Sequence, residues 1–481
     1  MRLEMWKLIT PVLGVLLASC GGSYGGGNSS TPDPMPTPAP APAPTAYSQT
    51  TLVSDGSINS RNTDPSLKNP WGLAFAPGAP AWVANNGTQT STLYDGTGNI
   101  LPLIVVMPGG IRGRADITGV VSNTSTTDFV VTKGTVSGVA RFVFSSESGT
   151  ILGWSPTIDG AGGVIAYDDG NGGAVYKGLA IASDGASNFV FATDFHNNKV
   201  DVFDAHFARV TTAGAFADST LPAGYAPFGI QAITASGSTL IYVTYAQKLA
   251  DSSDNANGAG LGLVNVFDVH GTLQKHLITA GGKLNAPWGV ALAPANFGTY
   301  SHELLVGNFG DGVINAFDPG TGAFVGALAD SNGQPFANPG LWGIAFGNGA
   351  RNQPTTTLYF VAGIANEADG VYGRIDLGAT APDTTAPTVA VSAPAASGPV
   401  SMPIQVAANA TDDRGVTKVE FFASHGDMTT SIGSSVTAPY AVEWDPRTFA
   451  VGDVVNLTAV AEDAAGNETS SAGVVMIVAA P

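Results

Sequence analysis

Three residues with hard oxygen donors stand at one recurring place in this sequence. Asn85, Asp194 and Asn308 each follow a short apolar stretch: Ala81-Trp-Val-Ala84, Phe189-Val-Phe-Ala-Thr193 and Leu304-Leu-Val306. Amide and carboxylate oxygens of this kind can coordinate Ca²⁺ or another divalent cation. In the remaining copies of the pattern the place falls on Lys133, Tyr245 and Gly363. Only one of these residues is a carboxylate, and Lys133 would compete with a cation. The opposing role for Asn and Asp here is the capping of turns by their own side chains. Lys133 and Tyr245 are read instead as contacts for a ligand.

A second recurring place lies just before a repeated glycine. It carries Trp71, Thr118, Lys177, Phe228, Trp288 and Trp342. Trp71, Phe228, Trp288 and Trp342 could form a stacking surface for a ligand, or could wedge between neighbouring elements and bury apolar area. His196, two residues after Asp194, could serve as a general base, but that chemistry needs several converging groups. The sequence has no nucleophile elbow, phosphate-binding loop or dinucleotide fingerprint in a fitting context. The six histidines are scattered without metal-ligand spacing.

The elements that position these residues are repeats. Asn69-Pro-Trp-Gly-Leu-Ala-Phe-Ala-Pro77, Leu284-Asn-Ala-Pro-Trp-Gly-Val-Ala-Leu-Ala-Pro294 and Leu341-Trp-Gly-Ile-Ala-Phe-Gly347 are versions of one phrase. Weaker copies centre on Gly119, Gly178 and Gly229. Each glycine opens an apolar strand, and a second strand follows. A third often ends in an aromatic residue plus Asp, as in Val200-Asp-Val-Phe-Asp204, before a turn and a more polar fourth strand. Short strands broken by turn signals, without helical periodicity, predict four-stranded propeller blades. The last copy lacks a fourth strand, and Gln49-Thr-Thr-Leu-Val-Ser54 is a spare strand ahead of the first. Together they predict closure of the sixth blade by the N-terminal strand. In the second blade Phe129-Val-Val-Thr132 is read as the second strand, and Ile151-Leu-Gly-Trp154 is followed by an extra turn-rich piece through Asp169.

The phrase Leu-x-x-Pro-x-Gly-Val and the run Ala192-Thr-Asp-Phe-His-Asn-Asn-Lys-Val-Asp-Val-Phe-Asp204 resemble the NHL and SMP-30/gluconolactonase-like six-bladed propellers, and more specifically an uncharacterised bacterial family of that kind. The resemblance covers about residues 48 to 378. It implies a propeller that hosts either a binding module or a metal-dependent lactonase or lyase with one divalent cation near the channel. The metal-binding Glu of that class has no counterpart on the first strand here. The fold alone does not choose between these functions.

Composition agrees with an all-β chain. Glycine is abundant (62), charged residues make up 12%, and the net charge of −18 opposes binding to nucleic acid. After a linker at 379–387, residues 388–481 carry about seven short strands, which fits an immunoglobulin-like sandwich. Ala410-Thr-Asp-Asp-Arg-Gly-Val416 and Ala459-Val-Ala-Glu-Asp-Ala-Ala-Gly-Asn467 resemble bacterial Ig-like modules, with Trp444 as plain core.

The one cysteine, Cys20, excludes an intrachain disulfide. A charged start with Arg2 and Lys7, an apolar run from Leu8 to Ala18 and Leu17-Ala-Ser-Cys20 resemble the lipobox of bacterial lipoproteins. The alternative is a cleaved secretory signal with an incidental cysteine. Residues 1–20 are thus expected to be a lipoprotein signal with Cys20 lipidated, and 21–47 a Gly-, Ser- and Pro-rich tether. By resemblance to lipoprotein sorting rules, Gly21 rather than Asp after the cysteine favours the outer membrane over the inner one. The expected protein is a lipid-anchored platform in the bacterial cell envelope that binds a surface protein or glycan. The other reading is a metal-dependent enzyme of the lactonase or lyase type. No cofactor is expected beyond, on that second reading, Ca²⁺ or another divalent cation.

Overall fold

The computed structural model describes residues 46–481 apart from 236, 251, 379–384, 413–414, 427 and 464–465. Cys20, the lipobox and nearly all of the tether lie outside the described residues. The described chain forms two compact units, a six-bladed propeller and an immunoglobulin-like sandwich.

Among the described residues the propeller has six sheets of at least four strands. Their inner strands are Pro70–Phe75, Ile117–Ser122, Tyr176–Ser183, Tyr225–Ala235, Pro287–Leu292 and Leu341–Phe346. Each inner strand packs on the next, and that of blade six returns onto that of blade one. Blade six consists of Leu341–Phe346, Leu358–Ala362, Val371–Leu377 and the N-terminal strand Tyr47–Ser54, which pairs antiparallel with Val371–Leu377. Lys68 ties the end of that N-terminal strand to the blade by bridging Asp55 and Asp369.

The repeated glycine has two jobs. In all six blades the ladder between the inner and second strands shifts register around it. The residue before it is left unpaired in the bulge, where a bulge re-aims a side chain. The glycine itself faces the next blade at backbone contact. A Cβ on Gly72 would sit 2.6 Å from the Thr118 carbonyl oxygen, and one on Gly343 would sit 2.7 Å from that of Trp71. The other four repeat glycines meet their neighbours in the same way, so any side chain there would push adjacent blades apart.

Blade two differs from its sequence reading. Its second strand is Phe142–Ser146, not the stretch around Val130. Val130–Lys133 pairs with Val136–Val139 in a separate two-stranded hairpin inserted ahead of it. The insertion accounts for the long spacing between the Gly119 and Gly178 repeats.

The sandwich is built from one sheet of Thr388–Ala393, Ile404–Thr411 and Tyr440–Trp444 and a second around Val416–His425, Val454–Asp463 and Val474–Val478. Along Val416–His425 the period-two pattern turns Val419, Phe421 and Ala423 inward. They meet Trp444 in the core, which is 3% exposed.

Candidate functional site at the closed end of the channel

The central channel has two unlike ends. Where the inner strands finish, it opens into a funnel of about 510 Å³ lined by residues of all six inner strands, among them Phe75, Ile181, Gln231 and Phe346. Where they begin, it is closed by the bulge residues. Trp71 and Trp342 stack at 3.5 Å between ring centres, and Trp288 meets both edge-on at 6.4 and 5.9 Å. Phe228 and Phe309 pack on Trp342 at 5.7 and 4.2 Å. Trp71, Phe228 and Trp342 are at most 2% exposed. These three rings therefore are not an open stacking platform. They plug the channel, with Trp288 left half-buried.

Lys177 holds the same bulge place in blade three, and the plug receives its charge. Its Nζ lies 5.1 Å from the centre of the Trp71 ring, within cation–π range. The side chain is 3% exposed, and Nζ donates to Glu147 Oε1 at 2.6 Å, with Asp254 Oδ1 at 3.6 Å. A buried ammonium needs such partners, because taking it from water unpaired costs several kcal/mol. Its carbonyl oxygen accepts Trp288 Nε1–H at 3.0 Å, fixing that ring.

A chain of polar contacts surrounds this point. Trp342 Nε1 donates to Asn69 Oδ1 at 3.1 Å, and Asn69 Nδ2 donates to Glu367 Oε2 at 2.8 Å. Asn86 Nδ2 donates to Glu147 Oε2 at 2.9 Å. Asn86 and Glu147 directly follow the second strands of blades one and two, while Glu367 comes from a turn where Ala365, Asn366 and Glu367 all have positive φ. Burial pushes the Glu367 carboxyl above the usual carboxylate range; the Asn69 bond opposes this, and Glu147 and Asp254 add repulsion. Trp71 Nε1 is buried without a hydrogen-bond partner among the described residues. Amides, carboxylates and one ammonium thus form a fixed network beside the tryptophan plug, with Glu147, Glu367 and Trp288 its partly exposed members.

The oxygen-donor set falls elsewhere in its chemistry. The strand register places Asn85, Ser146, Asp194, Tyr245, Asn308 and Ala362 opposite one another's counterparts around the ring. Lys133 and Gly363 do not hold that position. Lys133 is exposed on the inserted hairpin and pairs with Asp159 at 2.7 Å. Tyr245 is buried in the core of its blade, and burial lifts its hydroxyl well above the ordinary value.

As placed, Asn85, Asp194 and Asn308 do not fit a divalent cation. Asp194 is committed to Val175 N at 3.0 Å, Asn197 Nδ2 at 2.7 Å and Lys199 Nζ at 3.5 Å. Asn308 Oδ1 accepts Asn285 N–H at 3.1 Å, and only Asn85 keeps a buried oxygen without a partner. Among the described residues no three His, Cys, Asp or Glu side chains stand close enough to hold a metal ion. His196 lies at the surface, with Nδ1 2.9 Å from Ser253 Oγ.

The fold and this closed, polar-rimmed channel define a six-bladed propeller joined to an Ig-like module. A family model described as a bacterial Ig domain matches residues 387–459. The chain is 33% identical over 338 residues to the uncharacterized protein R648 of Acanthamoeba polyphaga mimivirus, covering 69% of this chain and 80% of that protein. A second mimivirus protein, L690, is 30% identical over 331 residues, covering 67% of this chain and 84% of its own length. The chain belongs to the family of R648. Both of these relatives are mimivirus proteins, not bacterial ones. Among solved structures, a streptogramin B lyase superposes at a TM-score of 0.39 and 11% identity, over 70% of this chain and 98% of that one. The fibronectin(III)-like modules of Clostridium thermocellum CbhA match 19% of this chain and 94% of theirs, at 32% identity and a TM-score of 0.16.

Proposed function

We propose that this protein is a binding platform of the cell envelope, held there through Cys20, whose propeller takes a glycan at the closed end of its channel. The observation that carries the reading is the Asn69–Glu367 and Asn86–Glu147–Lys177 network set beside the half-buried Trp288. Paired amides and carboxylates match the donor and acceptor pattern of sugar hydroxyls, and an indole face suits a sugar ring's C–H surface. A protein ligand at the same rim is the broader form of this reading. The lipobox-like Leu17-Ala-Ser-Cys20 and the Pro-rich stretch after it support an anchored, extended presentation.

Two experiments test this. The soluble chain is screened on a panel of bacterial envelope polysaccharides, and the best binder is titrated against wild type and Glu147→Gln. At least one polysaccharide should bind saturably, with affinity at least tenfold weaker in the variant at a temperature where both proteins remain folded. No binder in the panel, or equal affinity, sinks the glycan reading. In a bacterial host, an alkyne palmitate analogue should label the wild type and not Cys20→Ser; equal labelling defeats the anchor.

A further inference from the structure

A second cavity, of about 690 Å³, lies between blades one and two at the funnel end. Its walls are apolar and aromatic. Trp82 stacks on Phe142 at 4.0 Å and meets Trp154 at 4.7 Å, while Leu93, Leu101 and Leu103 form the blade-one side. Trp154 Nε1 is satisfied by the Gly160 carbonyl, so the ring faces need no polar partner. Two arginines line the cavity, Arg141 and Arg351, and no Asp or Glu does. In a chain of net charge −18 this is an unusual local balance.

Arg141 and Arg351 are exposed, and neither forms an ion pair among the described residues. The one side-chain bond of Arg141 is a long one, 3.4 Å to the Ser125 carbonyl. The turn bearing Arg351 is fixed from both sides: its carbonyl accepts Gly96 N–H at 2.9 Å, and the Asn352 carbonyl accepts the Tyr359 hydroxyl at 3.2 Å. An Arg fork is the side chain best matched to a carboxylate, and beside an apolar wall its attraction is less screened than in open water. Strand addition is a poorer fit for this side of the propeller, because Pro102 interrupts the edge strand Ile100–Val106.

We infer that this cavity is a binding site for a small apolar carboxylate, with the acyl chain or aryl ring against the partly exposed Leu101 and Leu103, over the packed rings of Trp82, Phe142 and Trp154, and the carboxylate on Arg141 and Arg351. It is separate from the closed-end site and does not depend on it.

Calorimetric titration of the protein tests the assignment with two matched pairs: octanoate against 1-octanol, and 1-naphthaleneacetate against its neutral amide. Saturable binding of either acid, at least tenfold tighter than its neutral partner, is the expected result, and the tighter acid tells an acyl from an aryl ligand. In Arg141→Gln/Arg351→Gln the preference for the acid should vanish, and Arg141→Lys/Arg351→Lys should retain part of it. Glu147→Gln should bind the acids as wild type does. Absence of saturable acid binding, equal binding of acid and neutral partner, or an acid preference that survives the double Gln variant would each overturn the inference.

Discussion

Blades two to four and blades five, six and one close the same ring with different chemistry. In the first arc, hydroxyls do the joining. Thr193 and Thr244 accept the N–H of the repeat glycine in their own blade, at 2.7 and 2.8 Å, and donate to the Phe228 and Pro287 carbonyls of the next blade, at 2.7 and 2.6 Å. Thr118 and Ser145 do the equivalent work from blade two. In the second arc the matching second-strand positions are Ala84, Gly307 and Val361, which have no hydroxyl, and Trp71, Trp288 and Trp342 fill the axis instead. The contrast shows that the bulge fixes where the residue before the glycine points, while the residue type decides whether the join is polar or apolar. Lys177 sits where the two arcs meet across the axis, belonging to the first and charging the second.

This contrast can be broken at either arc. Trp342→Ala removes contacts with Trp71, Trp288, Phe228 and Phe309 at once and should cost about 3–5 kcal/mol, read by denaturant unfolding. Thr244→Val leaves the Gly229 N–H and the Pro287 carbonyl without that partner and should cost about 1–3 kcal/mol in the same assay. A Trp342→Ala loss no greater than that of Thr244→Val would mean that the aromatic arc is filler.

The smallest effects are those of pH, and they run in opposite directions. Burial alone would raise the Asp55 carboxyl, but hydrogen bonds from Lys68 and Ser57 outweigh it and hold it at about 2. Its contribution to stability is therefore complete above the ordinary value of 3.8 and is lost as pH falls toward 2. Glu367 is held above its ordinary value of 4.5, so its contribution is complete below that pH and is lost as pH rises through the raised value. Unfolding curves should show Asp55→Asn flattening the acid limb and Glu367→Gln flattening the slope above pH 4.5. Either variant acting on the other limb would reject the assignment.

The six glycines made the propeller legible, because a residue that must touch the next blade's backbone cannot drift. The unpaired strand at Gln49 and the short sixth repeat likewise pointed to one another. Blade two was harder. Phe129-Val-Val-Thr132 has the composition of a second strand, and only the hydrogen-bond ladder reveals Phe142–Ser146 in that place. One misassigned strand put Lys133 in the ring and hid Ser146, and with it Glu147. The aromatic residues were visible but their burial was not, since an indole at a channel end can face either way. Asn86 follows the expected position by one residue and offered a signal. Glu367 offered none, because a run of three positive-φ residues places it.

Hydrogen exchange of the protein with and without the bound polysaccharide measures directly which end of the channel meets the ligand. Binding at the closed end predicts added protection in 86–89, 147–149 and 363–370, with 76–80, 122–124 and 231–234 unchanged. Protection confined to the latter three segments would place the ligand in the funnel and contradict the account.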